Sequence, residues 1–201
     1  MRAVLRFAWL AAGLALAGTA PIAHAQTGAT GEGDQDPVFA FNRICYGQVP
    51  SVAAIRDMAL RLAWRAMSDE DIAQFAPAGT VPEVLDGWDA QVGQRIYRVA
   101  ISQGAPTPGL AATFPDFAGG KATTCTMVLD ENHDPAVFVP NMGRLAGKPP
   151  ASENVPGEGG VKTTTWAGGN ADVKVFLVAR ANPNDEGGVL AVTVLQKGSG
   201  R

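Results

Sequence analysis

The chain has 201 residues, of which 46% are hydrophobic and only 17% charged, and its formal net charge is −3. This composition argues against a disordered polyampholyte, which would contain more charge and less apolar surface. Only one long uncharged apolar run occurs, at the N-terminus, which argues against a polytopic membrane protein. The slightly acidic balance and the scattered Lys and Arg residues argue against a nucleic-acid partner.

Residues 1–25 have the pattern of a secretory signal peptide. Arg2 and Arg6 form a positive start, residues 7–18 form a short apolar core, and Ala23–Ala25 is a small-x-small cleavage site. The alternative is an uncleaved N-terminal anchor, but the apolar core is too short to span a bilayer comfortably. We therefore expect export from the cytoplasm of a Gram-negative bacterium into the periplasm or beyond, with no membrane span left after cleavage.

The rest of the chain is expected to form one domain. Residues 26–37 are acidic, rich in glycine and almost free of apolar side chains, and they predict a disordered leader. Residues 38–197 contain the periodic apolar segments and predict a single α+β domain. Residues 198–201 predict a flexible tail.

Two cysteines lie within this predicted domain, Cys45 and Cys125. In an oxidising compartment two cysteines most simply form a disulfide, which would close a long loop. The alternative is a pair of free thiols, one of them a nucleophile. Sequence cannot test whether the Cα atoms lie close enough to pair.

Helical periodicity is strongest over residues 51–67, where apolar side chains recur at the spacing of one helix face and Ser51 can cap the N-terminus. Ser68 begins a second capping pattern, which predicts a short helix that ends before Pro77. Residues 135–146 follow an Asp-Pro capping pair but contain a proline and a glycine inside. We leave that segment open between a helix and an irregular crossover.

Strand-like alternation dominates the second half of the chain. The segments that predict strands are residues 95–102, 121–129, 161–166, 173–180 and 189–196. Residues 148–160 are rich in proline and glycine and predict an exposed loop. The expected fold class is α+β, with one main amphipathic helix and short helices packed on an antiparallel sheet of about five strands.

One internal similarity involves two Ala-Gly-Gly segments, FAGGKATTCTMVL from Phe117 and WAGGNADVKVFLV from Trp166. The alternatives are a true duplication and the same turn chemistry used twice, since paired glycines suit hairpin turns. Under either interpretation, the similarity predicts two hairpins in an antiparallel sheet.

Catalytic motifs are scarce. His133 is the only histidine after the predicted leader, so a Ser-His-Asp triad would need it, and no G-x-S-x-G motif accompanies it. We interpret His133 as a solvated turn histidine. No phosphate-binding glycine motif is present either, and no cofactor is expected.

The same turn contains Asp130, Asn132 and Asp134, a spacing that resembles the start of a calcium loop. Pro135 replaces the glycine of the sharp turn, and Asn141 stands where the bidentate glutamate belongs. We therefore expect an acidic surface turn rather than a metal site, with these three residues as a weak candidate.

Trp88 and Trp166 are candidates for a binding surface. Trp88 is expected in a loop before the first strand and Trp166 at a strand end, where an exposed aromatic side chain can anchor a partner. The alternative for each is ordinary packing in the core.

Two classes of function remain after these exclusions. The first is a small exported non-enzymatic protein, of a binding, accessory or inhibitor type, whose partner is a periplasmic protein or an envelope component. The second is a cell-envelope hydrolase that uses carboxylates or His133. The second requires a cleft with two nearby acids, or with His133 beside a serine or an aspartate. The sequence favours the first class.

Overall fold

The computed structural model describes residues 36–130 and 132–198. The predicted signal peptide at residues 1–25, most of the predicted leader at 26–37 and most of the predicted tail at 198–201 lie outside the described residues. Within the described part of the chain, no helix is long and apolar enough to cross a membrane.

In the part of the chain that the structure describes, eight strands form one antiparallel sheet. They are β1 (Arg65–Ala66), β2 (Val84–Val92), β3 (Arg95–Gly104), β4 (Lys121–Leu129), β5 (Ser152–Pro156), β6 (Lys162–Gly169), β7 (Val173–Ala181) and β8 (Gly188–Gln196). Their order across the sheet is β1-β2-β3-β4-β8-β7-β6-β5. Each half is therefore a meander, and the two halves join where β4 pairs with β8 along its whole length.

The α+β class and the antiparallel sheet are confirmed, but the expected five strands are eight. All five predicted strands are present, as β3, β4, β6, β7 and β8. Three strands were missed because their sequences are poor in β-forming residues. Strand β2 contains Asp86, Gly87 and Asp89, β5 lies at the sheet edge inside the predicted loop at 148–160, and β1 has only two residues.

The helices are short. They are α1 (Pro37–Phe41), which continues into a π-helical turn (Asn42–Tyr46), α2 (Val52–Arg61), α3 (Asp69–Ala73), α4 (Pro108–Thr113) and α5 (Pro135–Ala146). The helix predicted over residues 51–67 starts correctly, because the Ser51 Oγ accepts from the Ala54 N–H at 3.2 Å. It ends early because Ala63 takes a left-handed conformation (φ 50°), which turns the chain into β1. The short helix after Ser68 is confirmed.

Residues 135–146, left open above between a helix and an irregular crossover, form the helix α5. Asp134 caps it by accepting from the Ala136 N–H at 2.8 Å, and Gly147 ends it with φ at 65°. Pro140 lies inside the helix on its exposed side, and Phe138 and Met142 are fully buried on the other side. Burial of that apolar face stabilises the helix despite the hydrogen bond that the proline cannot make.

The main core lies between one face of the sheet and the layer formed by α1, the π-helical turn, α2 and α5. The predicted disulfide is confirmed there. Cys45 from the π-helical turn bonds Cys125 on β4, with the Cα atoms 5.4 Å apart, and both side chains are fully buried. Neither cysteine is free, so the thiol alternative is wrong.

The two Ala-Gly-Gly segments occupy different kinds of structure. The second ends β6 and leads into β7, as a hairpin should, and Gly169 there has φ at 109°. The first lies between the 3₁₀ turn at Pro115–Phe117 and β4, so the expected second hairpin is wrong. A Cβ at Gly120 would lie 1.9 Å from the Gln196 carbonyl oxygen. This close approach requires a glycine at position 120 even though the segment forms no hairpin turn.

Candidate functional site

A cavity of about 610 Å³ opens at the end of the sheet where β3 begins, β4 ends, and helices α1 and α5 both start. Its polar wall is formed by Asp36, Arg95, Asn132, His133, Asp134, Asn141 and Arg144. Pro37, Val137 and Phe138 supply the apolar part of the wall. A cavity of this size with several convergent polar groups has the dimensions of a small-molecule site.

His133 is part of this wall, and its expected exposure is wrong. Its side chain is only 2% exposed. The Nδ1 atom lies 2.7 Å from an Asp130 carboxylate oxygen, and the Nε2 atom lies 3.4 Å from the Tyr97 hydroxyl. The loop between β7 and β8 packs against this turn, because the Gly187 N–H donates to the His133 carbonyl at 2.7 Å. Local sequence cannot show that a distant loop contacts the turn.

The environment changes the acidity of the two groups that contact His133. Burial raises the pKa of the Asp130 carboxyl, but hydrogen bonds from Asn132 and from His133, together with the charge of His133, outweigh burial and bring that pKa below its usual value. Burial also raises the pKa of the Tyr97 phenol; Arg95 opposes this increase. The arrangement therefore favours an ionised Asp130 beside a neutral Tyr97.

The two carboxylates that line the cavity, Asp36 and Asp134, both cap helices. Asp36 accepts from the Val38 N–H at 2.9 Å and from the Asn141 side-chain amide at 2.8 Å, so it joins the start of α1 to the middle of α5. Asp134 caps α5. Both caps are Asp-Pro pairs, at 36–37 and 134–135. Sequence analysis did not identify Asp36 as a site residue, but this repeated motif could have indicated it.

The residues of the weak calcium candidate make other contacts in this geometry. Asp130 bonds His133 and accepts from the Asn132 N–H at 3.1 Å, whereas Asp134 points its oxygen to the start of α5. Over residues 36–130 and 132–198, no group of three His, Cys, Asp or Glu side chains is placed to bind a metal ion.

Two arginines, Arg95 and Arg144, contribute positive charge to the cavity wall. The Arg95 guanidinium comes no closer than 4.0 Å to Asp130. For Arg144, no carboxylate of the described residues lies within 4.0 Å. Neither arginine was singled out by the sequence, because isolated basic residues at a strand start and a helix end carry no motif.

The two candidate tryptophans lie far apart and away from this cavity. Trp88 is half-buried on β2 rather than in a loop, and Trp166 is only 4% exposed on β6, where its ring packs against Gly143 of α5. Four strands separate β2 from β6, which corresponds to a distance of roughly 20 Å or more. The structure therefore does not bring the two rings into one patch.

The lowered pKa of Asp130 makes a pH-dependent prediction. A carboxylate whose folded pKa is depressed stabilises the fold above its unfolded pKa, and this contribution is lost as pH falls through the folded value. We expect Asp130→Asn to lower the free energy of unfolding by about 1 kcal/mol at neutral pH, and the difference from wild type to shrink as pH falls below the unfolded carboxyl value of about 3.9 and to vanish only below the lower folded pKa. Urea unfolding between neutral and acidic pH measures this difference.

The matched control is Asp116→Asn, which changes an exposed aspartate outside the cavity. It should leave the free energy of unfolding almost unchanged across the same pH range. A loss in Asp130→Asn that stays constant from neutral to acidic pH would contradict the assigned role of the carboxylate.

Comparisons with known proteins assign the chain to no family. No protein-family model matches it. No match was found among curated proteins or among solved structures. The functional proposals therefore depend on the cavity and its side chains.

Proposed function

We propose that the chain is an exported, non-enzymatic binding protein whose cavity takes a small anionic ligand from the periplasm or the envelope. The observation that carries the proposal is the pairing pattern in the cavity. Asp36 and Asp134, the two carboxylates that line the cavity, are both engaged in hydrogen bonds. Arg95 has only a 4.0 Å contact with the Asp130 carboxylate, and Arg144 has no carboxylate of the described residues within that distance, so both guanidinium groups can interact with a ligand. Guanidinium groups suit carboxylate and phosphate ligands, because their N–H donors match pairs of oxygen atoms.

Export is part of the same proposal. The buried disulfide between Cys45 and Cys125 fits an oxidising compartment such as the periplasm, and the pattern of residues 1–25 supplies the export signal.

Binding is favoured over catalysis because the histidine has no free nitrogen. Nδ1 of His133 contacts Asp130, Nε2 faces the Tyr97 hydroxyl, and the ring is almost fully buried. A general base must reach the proton that it removes. Among the described residues, the cavity lining also contains no serine, threonine or cysteine that could act as a nucleophile.

The test is a thermal-shift titration of the purified protein with succinate, citrate and inorganic phosphate. A ligand at about 100 times its Kd stabilises the fold by about 2.7 kcal/mol, which corresponds to an increase in Tm of roughly 5–10 °C for a chain of this size. We expect at least one of the three anions to produce such a shift. Replacing Arg95 and Arg144 together by glutamine should abolish it.

The control variant is Arg61→Gln, which removes an exposed arginine on α2 outside the cavity. It should retain the full ligand shift. The proposal fails if none of the three anions raises Tm, or if the shift survives loss of both cavity arginines.

A second candidate function is an envelope hydrolase, and one observation favours it. His133 lies in the wall of the cavity and contacts Asp130 behind it, and the wall also contains two carboxylates, Asp36 and Asp134. Chromogenic ester and glycoside substrates test this candidate. Hydrolysis that is lost in His133→Gln, with the fold intact by circular dichroism, would support a histidine mechanism. Hydrolysis that is lost only in Asp36→Asn or Asp134→Asn would support a carboxylate mechanism.

A further inference from the structure

The described part of the chain begins in the wall of the candidate site. Asp36 is its first residue, and the Asp36 carboxylate accepts from the Asn141 side-chain amide of α5 at 2.8 Å. Arg144 follows Asn141 by three residues, which places the two side chains on the same face of α5 about one turn apart. Residues 26–35 therefore join the described chain about one helical turn from a cavity arginine.

Arg95 approaches the same position from β3. Burial raises the pKa of the Tyr97 phenol, and among the charges that act on that pKa are Arg95, which lowers it, and Asp36, which raises it. Charges act strongly only over short distances, so both groups lie near this hydroxyl. Asp36 is thus close to both arginines of the cavity wall.

The two arginines have little opposite charge beside them in the described residues. Arg95 has only its 4.0 Å contact with Asp130, and Arg144 has no carboxylate of those residues within that distance. The Arg95 side chain is only 32% exposed. Its charge is therefore partly shielded from water, which strengthens an ion pair formed there.

The segment before Asp36 has the charge that complements these arginines. Residues 26–35 contain two acids, Glu32 and Asp34, and no basic residue. Two residues of chain reach at most about 7 Å and four reach about 14 Å, which bounds the distances of Asp34 and Glu32 from Asp36. A cavity of about 610 Å³ is roughly 10 Å across, so both carboxylates can reach its arginines. Gly33 between them allows the chain to turn back.

We propose that residues 32–35 fold back into the cavity as a tethered anion, with Glu32 and Asp34 paired to Arg95 and Arg144, and that free anions must displace them. A short tether holds the carboxylates at a millimolar effective concentration, so weakly binding anions are excluded. This inference deepens the proposed function by adding regulation of the same site, and the competition rests on that function. The contact between the segment and the arginines needs no free ligand.

The experiment records the side-chain Nε–H signals of Arg95 and Arg144 by ¹⁵N NMR, at slightly acidic pH in a buffer without carboxylate or phosphate. Arg95→Lys and Arg144→Lys assign the two signals by their disappearance. Purified protein that retains residues 26–35 is compared with the double variant Glu32→Gln and Asp34→Asn. Both arginine signals should move in the double variant, because each guanidinium loses its carboxylate.

Two controls test whether the effect belongs to the acidic segment. Asp57→Asn combined with Glu70→Gln removes the same charge from exposed positions outside the cavity. Glu131→Gln removes the acid that precedes Asn132 of the cavity wall. Both controls should leave the arginine signals in place. The proposal is overturned if either arginine signal stays in place in the double variant, or if a control moves either signal as far as the double variant does.

A titration with succinate tests the competition. The double variant should bind succinate about threefold to tenfold more tightly than wild type, the effect of losing two partly exposed ion pairs. Equal succinate affinities would overturn the competition. If no anion binds either protein, the proposed function fails, and the arginine signals alone decide whether the segment occupies the cavity. Succinate binding with unmoved arginine signals would retain the proposed function and reject this inference.

Discussion

Replacing Cys45 and Cys125 together by alanine is expected to lower the free energy of unfolding by about 2–5 kcal/mol. The two residues are 80 positions apart in sequence, so the bond closes a long loop in the unfolded chain and reduces its conformational entropy. The chain-entropy model gives roughly 4 kcal/mol for a loop of that length. The bond also joins the π-helical turn to β4, the strand through which the two halves of the sheet meet.

Urea unfolding of the oxidised wild type and of the double variant measures this effect. Alanine is the suitable replacement, because serine would bury two hydroxyl groups at fully buried positions. Reductant should lower the stability of the wild type toward that of the variant and should leave the variant unchanged. Equal stability of the oxidised wild type and the double variant would show that the disulfide does not stabilise the fold.

The strands that were predicted correctly are those in which alternation and β-forming residues agree. Strand β4 is the clearest example, because its odd-numbered residues from Thr123 to Leu129 are buried and its predicted bounds match the observed Lys121–Leu129. Strand β8 pairs with β4 on one side and with β7 on the other, and its buried Val194 and Leu195 lie on opposite faces of the sheet. In these segments local preference and tertiary environment favour the same structure.

The missed strands depend on pairing partners that local sequence does not reveal. Gly87 weakens the strand signal of β2, but the helix α3 packs over it, and a Cβ there would lie 2.8 Å from the Met67 sulfur. The small residue is therefore required by a close approach between elements. Likewise, β1 exists only because Arg65 and Ala66 pair with Asp89 and Trp88 after the chain turns at Ala63.

The candidate site was likewise predicted only in part. The sequence identified His133, Asp130 and Asp134, which are neighbours in one turn, but it could not place Tyr97, Arg95 or Arg144 beside them. Arg95 and Tyr97 come from β3 and Arg144 from the far end of α5, and only the folded chain brings the two arginines to the cavity and Tyr97 against His133. Residues close in sequence were found, and residues brought together by strand order were not.

Replacing Phe138 by alanine is expected to lower the free energy of unfolding by about 3–5 kcal/mol. Phe138 is 0% exposed and lies on the buried face of α5, where it packs over β8 so closely that a Cβ at Gly188 would be 2.9 Å from its ring. Because Pro140 weakens the helix locally, α5 depends on this packing, and the substitution should also open the wall of the cavity.

Urea unfolding of Phe138→Ala, compared with that of Val137→Ala at a neighbouring position that is 54% exposed, isolates the packing effect. That control should change stability by less than about 0.5 kcal/mol, and a similarly small change in Phe138→Ala would mean that α5 is not anchored through its phenylalanine.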